Sequence, residues 1–341
     1  MTYQNRLSAF VKLGHFLREQ LQTPNAEFSA VITQANCENA WFTDDNISFA
    51  LQAVADDLNA ENLSEWLAHY PFLHNQTLSK TVAVIMAGNL PLVGFRDFLS
   101  VLVAGHKIIC KLSSKDTVLL RYLSQKLIDI ESEFLHYIHF EDRIIKGFDA
   151  IIATGGRQAV AHFHEYFSKY PHLIRGHRTS CAILDGSETT DELHGLFEDM
   201  FRYFGLGCRN VTKLWVPKEY DFQPLTDVSQ SQTELQESLK QHHLYQSNYQ
   251  YQQVVSALNA QKSINTDLFT LMENSASTPP ISVVYYDYYS DLADVRRILE
   301  MQKEQLQCIV SHSDIPFGIA QKTKLMDYAD GIDTMLFLGK F

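Results

Sequence analysis

The sequence predicts an α/β protein in which a doubly wound, Rossmann-like sheet precedes a second α/β domain. Short apolar runs rich in β-branched residues alternate with helical segments over roughly a hundred residues, which is the pattern of a parallel sheet covered on both faces. The chain has 341 residues, of which 45% are hydrophobic. That length exceeds what one small core needs and suits two domains. We therefore expect a first domain over residues 1–185 and a second over 186–341.

The elements of the first domain follow from hydrophobic spacing. Apolar residues recur at helical intervals over about 5–21 and 44–70, and these two regions are predicted to pack as helices beside the sheet. Continuous apolar runs predict buried strands over 81–86, 107–112, 150–153 and 181–184. The intervening segments, 95–104, 117–129 and 157–169, are predicted to be helices. Ligands of such sheets bind beyond the carboxyl ends of the strands.

The second domain is predicted from a change of pattern after Asp185. A helix over 189–203 leads to a glycine-rich turn, and strands are expected over 211–216, 281–286 and 308–310. Residues 230–260 are polar and helical in pattern, and 291–305 predict another helix. Packing of the C-terminal tail on the first domain is left open by the sequence.

Composition excludes several classes of protein. The net charge is −12 and the pI about 5.6, which argues against non-specific binding of nucleic acid or membrane surfaces. Five cysteines without a CxxC pair argue against a disulfide framework or a zinc site, so no metal is expected and a reducing cytoplasm fits best. No window approaches the 18 or so apolar residues of a membrane span.

Cys208 is the strongest candidate for a catalytic residue. It lies in the segment Phe204-Gly205-Leu206-Gly207-Cys208, a glycine-flanked turn between a predicted helix and a predicted strand. A thiol in such a turn differs from Cys110, Cys181 and Cys308, which fall inside apolar strands and are expected to be buried. Cys37 lies in a polar segment without further chemical groups.

Asn89 is the second candidate for a role in catalysis. It lies in Gly88-Asn89-Leu90-Pro91, where a predicted strand ends and a helix begins. A nucleophilic thiol and an amide donor for the oxyanion are two groups that thioester and aldehyde chemistry needs.

Two strand-to-helix turns are candidates for phosphate binding, although GxGxxG and the Walker pattern are absent. The first is Lys111-Leu112-Ser113-Ser114-Lys115, whose lysine reaches toward ribose or phosphate. The second is Ala153-Thr154-Gly155-Gly156, whose glycines would let a pyrophosphate approach the next helix. Ordinary turns also carry glycine and serine, so a purely structural role remains open for both.

The histidines give one further candidate. His177 lies in a glycine-containing turn before a strand and is a candidate proton donor, with a structural role as the alternative. His162 and His164 point to different faces of a helix and cannot share a metal, and His242 and His243 are adjacent in a polar helix. We interpret those four as surface or structural residues.

Taken in order along the chain, these motifs resemble those of the aldehyde dehydrogenase superfamily, and within it the acyl-CoA reductases related to the fatty-acyl reductase subunit of bacterial bioluminescence. Asn89-Leu90-Pro91-Leu92 is similar to the superfamily's Asn-Phe-Pro-Leu motif, whose Asn lines the oxyanion hole. Lys111 falls on the lysine that holds the adenosine ribose, and Thr154 and Gly155 fall on the Phe-Thr-Gly-Ser motif. Gly205 to Cys208 resembles Gly-Gln-x-Cys, whose cysteine is the nucleophile. Pro316-Phe317-Gly318 resembles a late Pro-Phe-Gly-Gly motif.

Three departures from the family pattern refine what the resemblance implies. The general-base glutamate that activates water would fall on Ile174, which fits acyl exchange or reduction without hydrolysis to an acid. Ser114 replaces a glutamate, and with Lys115 beside it this favours NADP(H) over NAD(H), because a carboxylate would repel the 2′-phosphate. No glutamate occurs around residues 277–281 to hold the nicotinamide ribose.

The resemblance therefore implies an NADPH-dependent acyl-CoA reductase with a catalytic domain of aldehyde dehydrogenase type. Its expected partner is an acyl-CoA or an acyl-carrier protein, and a homo-oligomer is among the states left open. An aldehyde dehydrogenase that produces a carboxylic acid, or a nucleotide-binding relative without activity, are the alternatives.

Overall fold

A computed structural model describes residues 1–74 and 78–341, and the chain divides into two compact units. The first unit contains Met1–His177 together with Lys324–Phe341, and the second contains Arg178–Thr323. The predicted division of roles, a cofactor domain over 1–185 and a catalytic domain over 186–341, stays a prediction.

The first unit opens with a group of helices that pack their apolar faces into its core. They are α1 Tyr3–Gln22, α2 Ala26–Glu38, α3 Asp44–Asp57 and α4 Ala60–Ala68. A Thr or Asn side chain caps the N-terminus of each by accepting a backbone N–H bond. Helix α2 was not predicted, because it buries only Phe28 and Ala35 and so carries little hydrophobic periodicity.

The sheet of the first unit is parallel, as predicted. Its strands are β1 Thr81–Ile85, β2 Lys107–Lys111, β3 Ile138–Phe140, β4 Ala150–Thr154 and β5 His172–Arg175, in the order β3-β2-β1-β4-β5. Helices α5 Phe95–Val103, α6 Leu119–Ile130 and α7 Arg157–Phe167 connect them. The strand order reverses between β1 and β4, which is where doubly wound sheets bind ligands. The short edge strands β3 and β5 were not predicted, because neither is a continuous apolar run.

The second unit holds a mixed sheet with the order β11-β6-β7-β10-β9-β8. Its strands are β6 Thr179–Ile183, β7 Val211–Pro217, β8 Ser263–Asn265, β9 Thr270–Glu273, β10 Val283–Tyr289 and β11 Leu306–Val310. Its helices are α8 Thr190–Phe201, α9 Gln223–Val228, α10 Glu234–Gln241, α11 His243–Leu258 and α12 Leu292–Met301. Strands β8 and β9 pair antiparallel, and the other pairs are parallel.

The C-terminal helix, α13 Thr334–Leu338, belongs to the first unit. The ring of the buried His106 lies within hydrogen-bond distance of the Leu338 carbonyl, at 3.1 Å from Nε2. In the part of the chain that the structure describes, no helix combines the length and apolar character needed to cross a bilayer. The described ranges also contain no group of three His, Cys, Asp or Glu side chains arranged to hold a metal.

Candidate active site

Cys208 lies on a tight turn that begins where α8 ends. The backbone enters this turn through consecutive left-handed residues, Tyr203 at φ 57°, Phe204 at φ 59° and Gly205 at φ 74°. A non-glycine residue in this region costs about 1–2 kcal/mol. Burial of both aromatic side chains offsets that cost, and the Phe204 ring lies 4.2 Å from the His242 ring, centroid to centroid. The chain is thus forced into a sharp reversal just before the thiol.

Asn210 fixes the shape of the Cys208 turn. Its backbone N–H donates to the Gly207 carbonyl at 3.1 Å, which closes a turn with Cys208 as its second residue. Its fully buried side chain accepts a bond from the Gly207 N–H at 2.7 Å. The same amide donates to the carbonyls of Asp199 and Arg202, at 3.1 and 2.9 Å. One side chain therefore ties the thiol-bearing turn to the end of α8.

A second anchor comes from β6. The Ser180 hydroxyl donates to the Cys208 carbonyl at 2.9 Å, and the same oxygen accepts the Cys308 N–H at 3.2 Å. Ser180 is 1% exposed, so both bonds are shielded from water. The Cys208 backbone is held from both sides, while its side chain stays partly exposed.

The buried cysteines have the environment expected of structural thiols. Cys110, Cys181 and Cys308 lie in β2, β6 and β11, and burial raises the pKa of each thiol, that of Cys181 to about 12. A thiol of high pKa supplies little thiolate at neutral pH. Cys37 is exposed. Cys208 thus differs from the buried thiols in its exposure and from Cys37 in its setting on a fixed turn.

Asn89 lies in the first unit, where it is an exposed residue of the turn between β1 and α5. Leu92 in this turn adopts a left-handed conformation at φ 58°, and its N–H donates to the Asp116 carboxylate at 2.8 Å. Burial raises the pKa of Asp116 to about 6. A Cβ added to Gly88 would stand 2.5 Å from the Ser113 Cβ. The turns after β1 and β2 are therefore in direct contact, and Gly88 is required for their approach.

The turn after β4 has the features of an anion site. Thr154 is the last residue of β4, and the N-cap of α7 is Gly156, which has no side chain to accept a bond from the helix. A Cβ on Gly156 would meet nothing within 4 Å, whereas one on Gly155 would stand 2.9 Å from both Ala159 and Phe163. The space beside Gly156 at the start of α7 is thus open, whereas Gly155 lies tightly against the helix. This arrangement fits a phosphate group at the helix N-terminus.

Lys111 is already engaged within the first unit. Its Nζ donates to the carbonyls of Asp142 and Arg143, at 2.9 and 2.6 Å. Ser113 Oγ accepts the Lys115 N–H at 3.2 Å, and the side chains of Ser114 and Lys115 are exposed. A ribose held by Lys111 would have to replace or share these carbonyl bonds.

The remaining histidine candidates, and Ile174 at the position of the family's general base, lie on α7, on β5 and in the turn after β5. His177 is exposed and follows β5, and His162 and His164 are exposed on α7, where surface roles were expected. Ile174 lies in β5 and packs on the apolar cluster around Ile151, so it offers no group that exchanges a proton.

Two buried residues of the site were not identified from the sequence, Asp199 and Asn210. Asp199 is completely buried in α8, three residues after Leu196, which is also fully buried. A carboxylate on the apolar face of an amphipathic helix is a signal that sequence reading could have used. Asn210 offers no such signal, because polar residues are common in turns.

A family model described as Acyl-CoA reductase (LuxC) matches residues 41–315. The chain belongs to this family. Long-chain acyl-protein thioester reductase 2 from Photobacterium leiognathi is 26% identical over 148 residues, which are 39% of this chain and 31% of that protein. The match thus spans about a third of the relative's length. The resemblance to acyl-CoA reductases is confirmed by the family match.

Solved structures of aldehyde dehydrogenases share the fold. Aldehyde dehydrogenase 21 from Physcomitrella patens, in complex with succinate, superposes with a TM-score of 0.66 at 13% identity, covering 98% of this chain and 79% of that one. A mutant of aldehyde dehydrogenase C from Pseudomonas syringae, in complex with NAD+ and octanal, gives 0.63 at 12% identity, covering 87% and 70%. The predicted α/β fold of aldehyde dehydrogenase type is confirmed.

Proposed function

We propose that this member of the acyl-CoA reductase family reduces the thioester of a fatty acyl-CoA, or of an acyl-carrier protein, to an aldehyde through an acyl-cysteine at Cys208. The proposal rests on the surroundings of Cys208. This residue is partly exposed, and hydrogen bonds from Asn210 and Ser180 fix the backbone of its turn. Burial separates Cys110, Cys181 and Cys308 from this role. The thioester reductase of Photobacterium leiognathi, named for this chemistry, supports the substrate class.

The first step of the proposed reaction is transfer of the acyl group. The Cys208 thiolate attacks the carbonyl carbon, a C–S bond forms, and the carbonyl oxygen takes the electron pair. Collapse of this oxyanion breaks the bond to the CoA sulfur, and the thiolate that leaves takes up a proton. The Cys208 backbone N–H and the Asn89 amide are the proposed oxyanion donors, each supplying about 3 kcal/mol of transition-state stabilisation.

NADP(H) is the proposed cofactor. Thr154, Gly155 and Gly156 would hold its pyrophosphate at the start of α7, with Lys111 and Ser113 toward the ribose and Ser114 beside the 2′-phosphate. When bound, the reduced nicotinamide supplies the hydride that converts the acyl group to an aldehyde. The open space beside Gly156 at the start of α7 and the exposed, uncharged Ser114 support this assignment.

The alternative outcome, hydrolysis to a carboxylic acid, requires a base that activates water. Ile174 carries no such group and packs in an apolar cluster.

His177 is the proposed proton donor for the leaving thiolate, supported by its exposure on the turn after β5. We also propose a reducing compartment such as the cytoplasm, because no disulfide joins the described cysteines.

Mass spectrometry of the intact protein after incubation with a panel of acyl-CoAs tests the proposal. The wild type should gain the mass of one acyl group, added NADPH should remove it as aldehyde, and the chain preference should appear in the same experiment. Cys208→Ser should neither load nor turn over, whereas the matched variant Cys37→Ser should behave like the wild type. Acyl loading that survives in Cys208→Ser would refute the role of this thiol.

A second assay separates reduction from hydrolysis. The protein is given an aldehyde and NADP+, with and without free CoA. We expect acyl-CoA to form only when CoA is present. Free acid formed at full rate without CoA would favour the aldehyde dehydrogenase alternative and reject the proposal.

A further inference from the structure

The loop Pro316–Ala320, which carries the late motif of the sequence, is held by a carboxylate that the proposed reaction does not use. Asp199 accepts the Gly318 N–H at 2.7 Å through Oδ2 and the Ala320 N–H at 2.9 Å through Oδ1. The side chain is completely buried. Both oxygens are thus committed to one stretch of backbone 119 and 121 residues away in the sequence.

The same helix also shapes this loop by direct contact. A Cβ added to Gly195 of α8 would stand 2.8 Å from the Gly318 nitrogen and 2.8 Å from the Phe317 carbonyl carbon. Gly318 itself is left-handed at φ 81°. The loop backbone therefore packs directly against α8 at Gly195, and Asp199, one helical turn further along, accepts its two N–H bonds.

Asp199 is also linked to the Cys208 turn. Its main-chain carbonyl accepts the Asn210 side-chain amide, which in turn holds Gly207. A separate bond runs from Arg209 Nε to the Ala320 carbonyl. The turn that bears the thiol and the loop that bears Phe317 are thus joined directly by Arg209 and also through Asp199, whose main chain supports the turn and whose side chain supports the loop.

We propose that Asp199 is a positioning residue for thioester reduction, setting the Phe317–Gly318 loop against the Cys208 turn. This inference rests on the proposed function. An ionised carboxylate accepts two N–H bonds strongly with its two oxygens, whereas a protonated carboxyl accepts only weakly at its O–H oxygen. A neutral amide has one acceptor oxygen and turns an NH2 group toward the other donor. This pair of bonds, which we call the clamp, is therefore strongest when Asp199 is charged.

Because the two hydrogen bonds of the clamp are strongest when Asp199 is charged, their strength should depend on pH. Burial raises the pKa of Asp199 to about 7, and the charge of Glu198 adds to this shift, whereas the two N–H bonds and Lys322 oppose it. The Cys308 thiol on β11 also faces Asp199, and Arg209 faces Cys308. Because the folded-state pKa is raised, Asp199 becomes protonated as the pH falls through about 7. One carboxyl oxygen then carries a proton and accepts its N–H bond more weakly, so Asp199 holds the loop less firmly.

Asp199→Asn is the variant that tests the clamp, with Glu198→Gln as a matched control that removes a partly exposed charge from the adjacent position. The kcat for acyl-CoA reduction is measured from pH 6 to 8.5. The alkylation rate of Cys208 by iodoacetamide is followed over the same range, so that ionisation of the thiol itself is known. His312, whose ring lies 5.4 Å from that of Phe317, is present in both variants and does not affect the comparison.

We expect Asp199→Asn to lower kcat about 10- to 100-fold, which is the order of loss that a misplacement of about 1 Å produces. In the wild type, part of the fall in kcat below pH 7 should exceed what ionisation of the Cys208 thiol explains. That part should be absent from Asp199→Asn. A purely structural role would lower the amount of folded enzyme without changing this profile. Glu198→Gln should keep the wild-type rate at high pH, and its profile should move slightly to lower pH, because removing the Glu198 charge lowers the pKa of Asp199.

Gly195→Ala provides a second test if Asp199→Asn fails to fold. The added methyl group pushes the loop away from α8 without changing any charge, so kcat should fall at every pH. Full activity in Gly195→Ala, or an Asp199→Asn enzyme that matches Glu198→Gln in rate and profile, would overturn the inference. A wild type that forms neither acyl-enzyme nor aldehyde would instead refute the proposed function.

Discussion

Replacement of Asn210 by alanine removes a side chain that joins the Cys208 turn to the end of α8. The amide is 0% exposed and makes three hydrogen bonds, to the Gly207 N–H and to the carbonyls of Asp199 and Arg202. Each bond contributes about 1 kcal/mol net, and a buried group left without a partner costs about 1–3 kcal/mol. We therefore expect Asn210→Ala to lower the free energy of unfolding of the second unit by about 3 kcal/mol or more.

Asn210→Asp serves as a matched variant of nearly the same size. Its carboxylate still accepts the Gly207 N–H, but its second oxygen faces two carbonyl oxygens in a buried position. Its folded-state pKa should therefore lie above the unfolded value of about 4. The stability penalty is then small below the unfolded pKa and grows as the pH rises through the folded one. Asn210→Asp should be closer to the wild type at pH 4 than at pH 8.

Hydrogen exchange of the peptides around Gly207 and urea denaturation at both pH values measure these effects. Acyl loading of Cys208 should slow about 100-fold in Asn210→Ala, because the thiol and its backbone N–H lose their fixed relation. Wild-type exchange rates and wild-type loading in Asn210→Ala would show that the turn keeps its shape without the amide. A penalty in Asn210→Asp that is equal at pH 4 and pH 8 would contradict the electrostatic argument.

Two further predictions concern the first unit. In the wild type, the buried Arg175 guanidinium donates to both Asp97 oxygens at 2.8 and 2.6 Å. Asp97→Asn leaves this buried charge without its counter-ion and should lower the free energy of unfolding by about 3–5 kcal/mol, as measured by urea denaturation. The double variant Asp97→Leu with Arg175→Met should recover most of this loss, and a single-variant loss below about 1 kcal/mol would contradict the prediction. Ser114→Glu should weaken NADPH relative to NADH about tenfold in binding titrations, because two charges about 4 Å apart repel by roughly 1–4 kcal/mol near a protein surface. Ser114→Gln is the neutral control, and an unchanged NADPH-to-NADH ratio in Ser114→Glu would place the 2′-phosphate elsewhere.

The fold class and most of the elements that build it could be predicted from the hydrophobic pattern of the chain. Strands such as β1 and β4 are continuous apolar runs, and a segment buried on both faces of a sheet leaves this signal wherever it occurs. Helix α2 and the short edge strands β3 and β5 were missed, because an element that buries few side chains leaves little hydrophobic pattern.

The turn that carries Cys208 was also predictable from the sequence, because two glycines after a helical segment mark a turn without reference to the rest of the chain; the catalytic role of Cys208 stays a prediction. The anchors of that turn were decided only by the tertiary structure. Ser180 reaches the Cys208 carbonyl across 28 residues, and Asp199 reaches Ala320 across 121. Bonds of this kind depend on strand order and on the direction in which α8 leaves the sheet. A local pattern reports which face of a segment is buried, but the partner on the other side of that face is fixed only when the chain has folded.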